Sequence, residues 1–362
     1  MKKIKILYLI TSLDKGGAET QLFRLVSNLK KKKDIELKVV SIKGGYFEEK
    51  LKEEGIDVEI ISNNLSYFKL PQYISKLKKI IKEFKPNIVH SFLFHTNILM
   101  KISLFFMKKD FKLITSYRAD IRDFKLLYFL EKVNKNNVDL AISNTNAAFI
   151  GMNKLFKKSK KLVISNGIDI SKSAKIKPNL QLGKKLKNKK IILTVANFRD
   201  EKDYRTNVLT CQELLKTRQD FCFIYIGTGP KQNEIKKLVS DLNLEKVILF
   251  LNRREDILQI MKISNVFFLP TKCEGQSNVM LEAMSMKLPI VTTNIEAVLE
   301  LGGELFLSEP EDNISMAKNI NNILLGKYDK KILIKNYTHV KKNYSIKSMV
   351  DGYYREYLEM FK

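Results

Sequence analysis

Two carboxylates, Glu274 and Glu282, stand eight positions apart in the run Glu274-Gly275-Gln276-Ser277-Asn278-Val279-Met280-Leu281-Glu282, just after the apolar stretch Val266-Phe267-Phe268-Leu269-Pro270. The apolar stretch reads as a buried parallel strand, and Pro270 and Gly275 punctuate the loop that follows. Ser277 is placed to cap a helix. Glu274 then falls in a loop at the carboxyl end of a strand, and Glu282 projects from the first turns of the helix, near its positive end. Open α/β sheets bind ligands at corners of this kind. Each carboxylate can accept hydrogen bonds from a pair of hydroxyls, so the two suit a ligand carrying two diols, such as a nucleotide sugar. The competing reading is a surface helix with ordinary acids.

Cations and glycines recur at other strand ends. The loop Ala196-Asn197-Phe198-Arg199-Asp200-Glu201-Lys202 follows an apolar strand; Arg199 by a forked contact and Lys202 as a point charge could neutralise a diphosphate. A solvated charge run beside Asp200, Glu201 and Asp203 is the alternative. Gly227-Thr228-Gly229-Pro230 closes a further strand. Near the start, Gly16 and Gly17 separate a strand from a helix, which permits close backbone approach to an anionic group at a helix N-terminus. A plain tight turn would also explain them. The spacing matches neither the dinucleotide glycine pattern nor the phosphate loop ending in Gly-Lys-Ser/Thr.

The elements that must position these groups alternate. Strands are expected at Ile4–Ile10, Glu36–Ser41, Val58–Ile61 and Ile88–Ser91, with helices at Glu19–Leu29, Phe47–Glu54 and Leu70–Phe84. The alternation resumes with strands at Ile191–Ala196, Phe221–Ile226, Val247–Phe250 and Val266–Leu269. The polar, lysine-rich segment from Asp169 to Lys190 lies between the two sets. The fold class is α/β, with two doubly wound, Rossmann-like units whose strand ends flank a cleft. The expected division is 1–172, a linker 173–190, a second domain 191–340, and a terminal segment 341–362 whose helix spans roughly Ser345 to Phe361. At 362 residues and 44% hydrophobic content, each unit can bury its own core. Cys211, Cys222 and Cys273 lack paired spacing, so neither a disulfide framework nor a zinc site is indicated. No apolar run reaches about 18 residues, and no secretory leader is evident at Met1-Lys2-Lys3.

Taken in order, the corners resemble the retaining glycosyltransferases of the GT-B fold, family four (group 1), over nearly the whole chain. The set is Gly16-Gly17-Ala18-Glu19, Ile88-Val89-His90-Ser91 with His95, Ser165-Asn166-Gly167-Ile168-Asp169, the Asn197 to Lys202 loop, Gly227-Thr228-Gly229-Pro230, and the Glu274 to Glu282 element. The resemblance implies a nucleotide-sugar donor, UDP-linked by expectation, held by the second domain and an acceptor approached by the first. It implies that Glu282 binds the ribose hydroxyls and that Glu274 contacts the transferred sugar. Gly275, Gln276, Ser277, Asn278 and Val279 would then lie on the donor side, with helix N–H groups near the pyrophosphate, together with Asn197, Gly227 and Gly229. Gly16 and Gly17 would close over the diphosphate from the other domain, and Arg253 and Arg254 stand where the family contacts the base. No metal or other cofactor is implied, and the sequence contains no Asp-x-Asp pair. Transfer would rest on Arg199 and Lys202 stabilising the departing diphosphate, with Glu274 beside them. The terminal helix would cross back to the first domain.

Two positions depart from the family pattern. Asn197 stands where the family often has an Arg, so Arg199 is the alternative phosphate contact. Where many members place a His after the strand Lys112–Thr115, Tyr117 or Arg118 stands instead. His90, His95, Tyr117, Arg118 and Asn166 are thus candidates for the acceptor side of the cleft.

The charge of +26 is uneven: residues 1–180 hold 36 Lys and Arg against 17 Asp and Glu, and the remainder 29 against 22. Such a basic half suits anionic lipid headgroups. Leu70–Phe84, with Lys76, Lys78, Lys79 and Lys82, or Met100–Lys112, with Leu104, Phe105, Phe106 and Lys101, could lie in a membrane interface. The expectation is a cytoplasmic protein, peripheral on the inner membrane face, acting on a glycan or polyprenyl-linked acceptor in surface polysaccharide synthesis. Two alternatives stand beside it. One is a basic nucleic-acid-binding protein, against which the chain lacks a recognisable module, so no nucleic-acid partner is expected. The other is a GT-B relative that is no transferase, such as a nucleotide-sugar epimerase.

Overall fold

The computed structural model describes residues 3–118 and 125–362. The chain divides into two compact units, one of residues 1–167 with 346–362 and one of residues 168–345.

The first unit is built on seven parallel strands: β1 (Ile4–Ser12), β2 (Ile35–Lys43), β3 (Asp57–Ile60), β4 (Ile88–Phe92), β5 (Lys112–Tyr117), β6 (Leu140–Ser143) and β7 (Lys160–Val163). Their order is β3-β2-β1-β4-β5-β6-β7, so the winding reverses between β1 and β4. Side chains of β1 alternate between two cores: Ile4, Ile6, Tyr8 and Ile10 face one, Leu7 and Leu9 the other. Helix Gly17–Leu29 covers the first face with Leu22, Leu25, Val26 and Leu29. Helix Ile346–Phe361 joins it there through Met349, Val350, Tyr353 and Tyr357, so the chain returns to its first unit. On the other face, helix Leu70–Phe84 buries Tyr73, Leu77, Ile80 and Ile81 and leaves Lys76, Lys78, Lys79 and Lys82 exposed. Both faces are hydrophobic because both are covered, which is what makes these strands read as continuous apolar runs.

The second unit has six parallel strands: β8 (Lys190–Val195), β9 (Phe221–Ile226), β10 (Ile248–Leu251), β11 (Val266–Leu269), β12 (Ile290–Thr293) and β13 (Phe306–Ser308). Their order is β10-β9-β8-β11-β12-β13, and the winding reverses between β8 and β11. Phe221, Phe223 and Tyr225 of β9 enter one core, Cys222, Ile224 and Ile226 the other. The segment 173–190, expected as a linker, falls within this unit; helix Ile170–Lys175 runs into it, and Leu180–Lys185 is a second short helix. Asp169 and Asn179 cap those helices by accepting from the backbone N–H groups of Lys172 and Leu182. The strands Phe221–Ile226 and Val266–Leu269 and helix Leu70–Phe84 have the bounds expected from sequence. The other elements named differ by a residue or two.

Candidate functional site

The reversal between β8 and β11 brings the ends of those strands side by side, where a doubly wound sheet opens a crevice. The loop after β8 carries Asn197, Arg199 and Lys202; the loop after β11 carries Glu274. They are laced together by two bonds to one carbonyl: Thr271 Oγ1 and the Lys272 N–H donate to the Glu201 oxygen at 2.8 and 2.9 Å. Across this lacing the Lys202 ammonium donates to Glu274 Oε1, the two side chains being 19% and 9% exposed. Burial pushes the Glu274 carboxyl above its ordinary range; the Lys202 charge opposes that shift and the Glu201 charge adds to it. Two residues 72 positions apart therefore form one shielded ion pair at the switch point.

Gly227 and Gly229 have a structural reason that holds without any ligand. Gly227 has a φ of +149°, and a Cβ there would stand 2.0 Å from the Ala196 carbonyl oxygen. A Cβ on Gly229 would stand 2.4 Å from the Phe198 oxygen and 2.7 Å from its nitrogen. The loops after β8 and β9 lie backbone to backbone: the Phe198 N–H donates to Thr228 O at 3.1 Å and the Lys231 N–H to Phe198 O at 3.1 Å. Phe198 is fully buried and stacks on Tyr204, ring centroids 4.0 Å apart, while the Tyr204 hydroxyl donates to Ala196 O at 2.8 Å. Anchoring Phe198 inward leaves its neighbours Asn197 and Arg199 exposed. Arg199 Nη1 lies 3.8 Å from Glu201 Oε1.

After β11 the helix runs from Asn278 to Ser285. Ser277 occupies the N-cap position, but its hydroxyl makes no capping bond, contrary to the sequence expectation. Gln276 and Ser277 are buried, Gly275, Asn278 and Val279 half-buried. Glu282, fifth in the helix, stays partly exposed while Met280, Leu281, Ala283 and Met284 enter the core. After β10, Arg253 is exposed, and Arg254 makes a forked pair with Asp256 at 2.6 and 2.8 Å.

In the first unit Gly16 caps the helix that Gly17 begins, with an extended backbone and no side-chain cap. A Cβ on Gly16 would meet the Glu19 carboxylate, the far end of a flexible side chain. Ser12 Oγ donates to Glu19 Oε1 at 3.3 Å, and burial raises the Glu19 carboxyl.

The structure separates the five acceptor-side candidates. His90 is fully buried; its Nδ1 lies 2.8 Å from the Tyr357 hydroxyl and its Nε2 2.7 Å from Ser116 Oγ. Burial first, then the Arg118 charge, holds it well below the ordinary histidine range, so it is neutral. Tyr117, likewise buried, donates to Glu131 Oε2 at 2.7 Å, the same carboxylate oxygen that receives the Lys101 ammonium. Arg118 donates to Asn166 Oδ1 and, at 3.4 Å, to the Tyr353 hydroxyl, packed over the Phe92 ring. His95 alone of the five is exposed, on the first turn of helix Phe94–Ser103, and lines a cavity of about 590 Å³ within this unit.

Sequence reasoning missed that cavity. Its walls come from Ile98, Leu99 and Ile102 of one helix and Leu126, Leu127 and Leu130 of helix Lys125–Leu130, each set spaced i, i+1, i+4 on one face. Lys101, grouped from sequence with Leu104, Phe105 and Phe106 in a segment offered to a membrane interface, is instead wholly buried against Glu131. Met100 is buried too, while Phe105 and Phe106 are exposed. Among the described residues no three His, Cys, Asp or Glu side chains assemble to hold a metal ion, and no helix is long and apolar enough to cross a membrane.

Residues 178–340 match the family model described as glycosyl transferases group 1, and residues 15–172 match the model described as Glycosyltransferase Family 4. An Escherichia coli UDP-Gal:alpha-D-GlcNAc-diphosphoundecaprenol alpha-1,3-galactosyltransferase is 27% identical over 256 residues, 66% of this chain and 65% of that protein. The capsular polysaccharide biosynthesis glycosyltransferase CapM of Staphylococcus aureus is 24% identical over 349 residues, 90% and 88% of the two chains. The chain spans 67%, 65%, 47% and 36% of the lengths of four curated relatives that it matches. Among solved structures, Anabaena HepE in complex with UDP superposes with a TM-score of 0.85 at 19% identity, covering 98% of this chain and 100% of that one. TarM superposes with a TM-score of 0.80 at 15% identity, covering 99% of each chain. At these identities the likenesses carry the fold, which is GT-B.

Proposed function

Because the chain belongs to the group 1, family 4 glycosyltransferases, we propose that it is a retaining enzyme moving a sugar from a UDP-linked donor to a glycan or lipid-linked acceptor in surface polysaccharide synthesis. The Lys202–Glu274 pair at the switch point of the second unit carries this reading, since it places a shielded cation and a carboxylate where such a sheet receives its ligand. Lys202 and the exposed Arg199 stabilise the departing diphosphate; Glu274 contacts the transferred sugar, and Glu282 the ribose. The bond from the sugar's anomeric carbon to the β-phosphate oxygen breaks, the acceptor oxygen takes its place on the same face, and the acceptor proton passes to the diphosphate. Asn197, Gly275, Gln276, Ser277, Asn278 and Val279 complete the donor side, and Arg253 the base contact. HepE forms complexes with UDP, with UDP and glucose, and with UDP-glucose, and the E. coli relative is a UDP-Gal:alpha-D-GlcNAc-diphosphoundecaprenol galactosyltransferase, which supports the choice of both substrate classes. The basic first half supports a peripheral place on an anionic, cytoplasmic membrane face.

The test is transfer by Glu274→Gln and Lys202→Ala proteins, with thermal melting to verify folding and NMR of the product's anomeric linkage. Losing one stabilising cation costs about 10²–10³ in kcat. Unchanged turnover in both variants removes the assignment of the pair, and an inverted linkage removes retention.

A further inference from the structure

The cavity of the first unit offers chemistry unlike the donor corner. It lies at the carboxyl ends of β1 and β2, bounded by Thr11 and Ile42, and its walls are the leucines and isoleucines of two helices. Leu65 and Leu126 stand on its rim, 50% and 71% exposed. Its volume of about 590 Å³ lies in the range of small-molecule sites, roughly 300–1,000 Å³.

The polar residues of the lining are Thr11, Ser66, Tyr73 and His95. The Tyr73 hydroxyl donates to Asn64 O at 2.8 Å and accepts from the Ser66 N–H at 3.1 Å. Thr11 is different: it is 9% exposed, and its hydroxyl has no partner among the described residues. A buried hydroxyl left unpaired costs free energy unless something occupies the space beside it. A nucleotide or a free sugar would lose its hydrogen bonds to water here without replacement. A hydrocarbon chain loses none, and one polar atom at its head would satisfy Thr11. Lys43, which follows Ile42, is paired with Asp14 at 3.0 Å, and Lys69, which precedes Leu70, donates to the neutral Asn64 Oδ1 at 3.0 Å, so Lys69 is the cation beside the cavity without a carboxylate partner among these contacts and fits an anionic head better than a neutral one.

We propose that this cavity takes the alkyl or isoprenyl chain of an amphiphilic acceptor, its first polar atom held by Thr11 and its head directed past His95. The inference rests on the transferase reading, and on the first unit serving the acceptor. It narrows the acceptor to a molecule with a hydrocarbon tail.

Methyl, geranyl and farnesyl diphosphates serve as probes in calorimetric titrations of the full chain below their micelle concentrations. Each buried methylene strengthens binding about fourfold, so the geranyl compound binds at least a hundredfold tighter than the methyl one. Filling the cavity from either wall, by Ile102→Trp or Leu130→Trp, removes most of that gain, and Thr11→Val weakens binding of the geranyl and farnesyl compounds with little change of shape. Circular dichroism verifies each fold, and two variants on different helices prevent one misfolded protein from deciding the matter. Equal affinity for the three diphosphates overturns the inference. So does a chain-length gain kept by both filled variants, which means adsorption elsewhere, or a concentration-dependent dimer that excludes the probes. UDP binding is measured in parallel: its absence from the unaltered protein defeats the donor reading alone, and a lost chain-length dependence with UDP still bound defeats this inference alone.

Discussion

Tyr357→Phe removes one oxygen from the helix that returns to the first unit. That oxygen lies 2.8 Å from the Tyr8 hydroxyl and 2.8 Å from His90 Nδ1, all in fully buried surroundings. Whichever way the protons run, the substitution breaks both bonds and leaves two buried polar groups without a partner. Each such group costs about 1–3 kcal/mol, so the expected loss centres on about 4 kcal/mol. Tyr8→Phe is the control: it removes one bond and leaves the Tyr357 hydroxyl on His90, for about 1 kcal/mol. Combining the two costs less than their sum, because the Tyr8 hydroxyl is no longer there to be stranded. Native-state hydrogen exchange read by mass spectrometry localises the effect. Amides of helix Ile346–Phe361 lose up to about a thousandfold in protection, those of β1 and β4 follow, and β8 to β13 keep theirs. A Tyr357→Phe protein no less stable than Tyr8→Phe would refute the reasoning, as would protection lost mainly in the second unit.

Two further outcomes follow from the geometry. Gly229→Ala drives a methyl group against the Phe198 backbone and destabilises the second unit by about 1–3 kcal/mol, with weaker UDP binding as the loop after β8 shifts; Gly183→Ala, whose Cβ would lie 3.8 Å from Ile263 Cγ2 within a helix, is neutral or stabilising in the same urea titration. His90 is held neutral when folded but has a value of about 6.5 when unfolded, so its contribution is complete above pH 6.5 and falls by about 1.4 kcal/mol per unit below it. Urea midpoints at pH 7 and pH 5.5 must therefore differ less in His90→Gln than in the unaltered chain, and an equal drop in both refutes the assignment.

The strands were legible because a doubly wound sheet is covered on both faces, so β1, β9 and β11 announce themselves as apolar runs bounded by glycine, proline and charge. The corners were legible for the same reason: Gly227-Thr228-Gly229-Pro230 and the Asn197 to Lys202 loop stand at strand ends. Their pairing was not. Lys202 and Glu274 meet because β8 and β11 are neighbours, and Gly229 faces Phe198 because β8 and β9 are. His90 and Tyr117 read as cleft groups because they sit at strand ends beside a corner. Their surroundings are decided by Tyr357, 267 positions from His90, and by Glu131, and nothing local in the sequence marks those partners. The unmade Ser277 cap is a smaller case, where residue type fitted the position but the hydroxyl did not form the bond.

The chain enters the second unit at Ile168 and leaves it at Ser345, and those two residues are bridged, with the Ile168 N–H donating to Tyr344 O at 2.8 Å. The second unit is thus an insertion with adjoining ends, suited to excision as a free-standing fragment, and Gly167 joined to Ile346 by a short spacer would close the remainder. On the ribosome the order is reversed from that of sequence: the inserted unit is complete before the helix 346–361 has been made, and until then Tyr8 and His90 await the hydroxyl that pairs them.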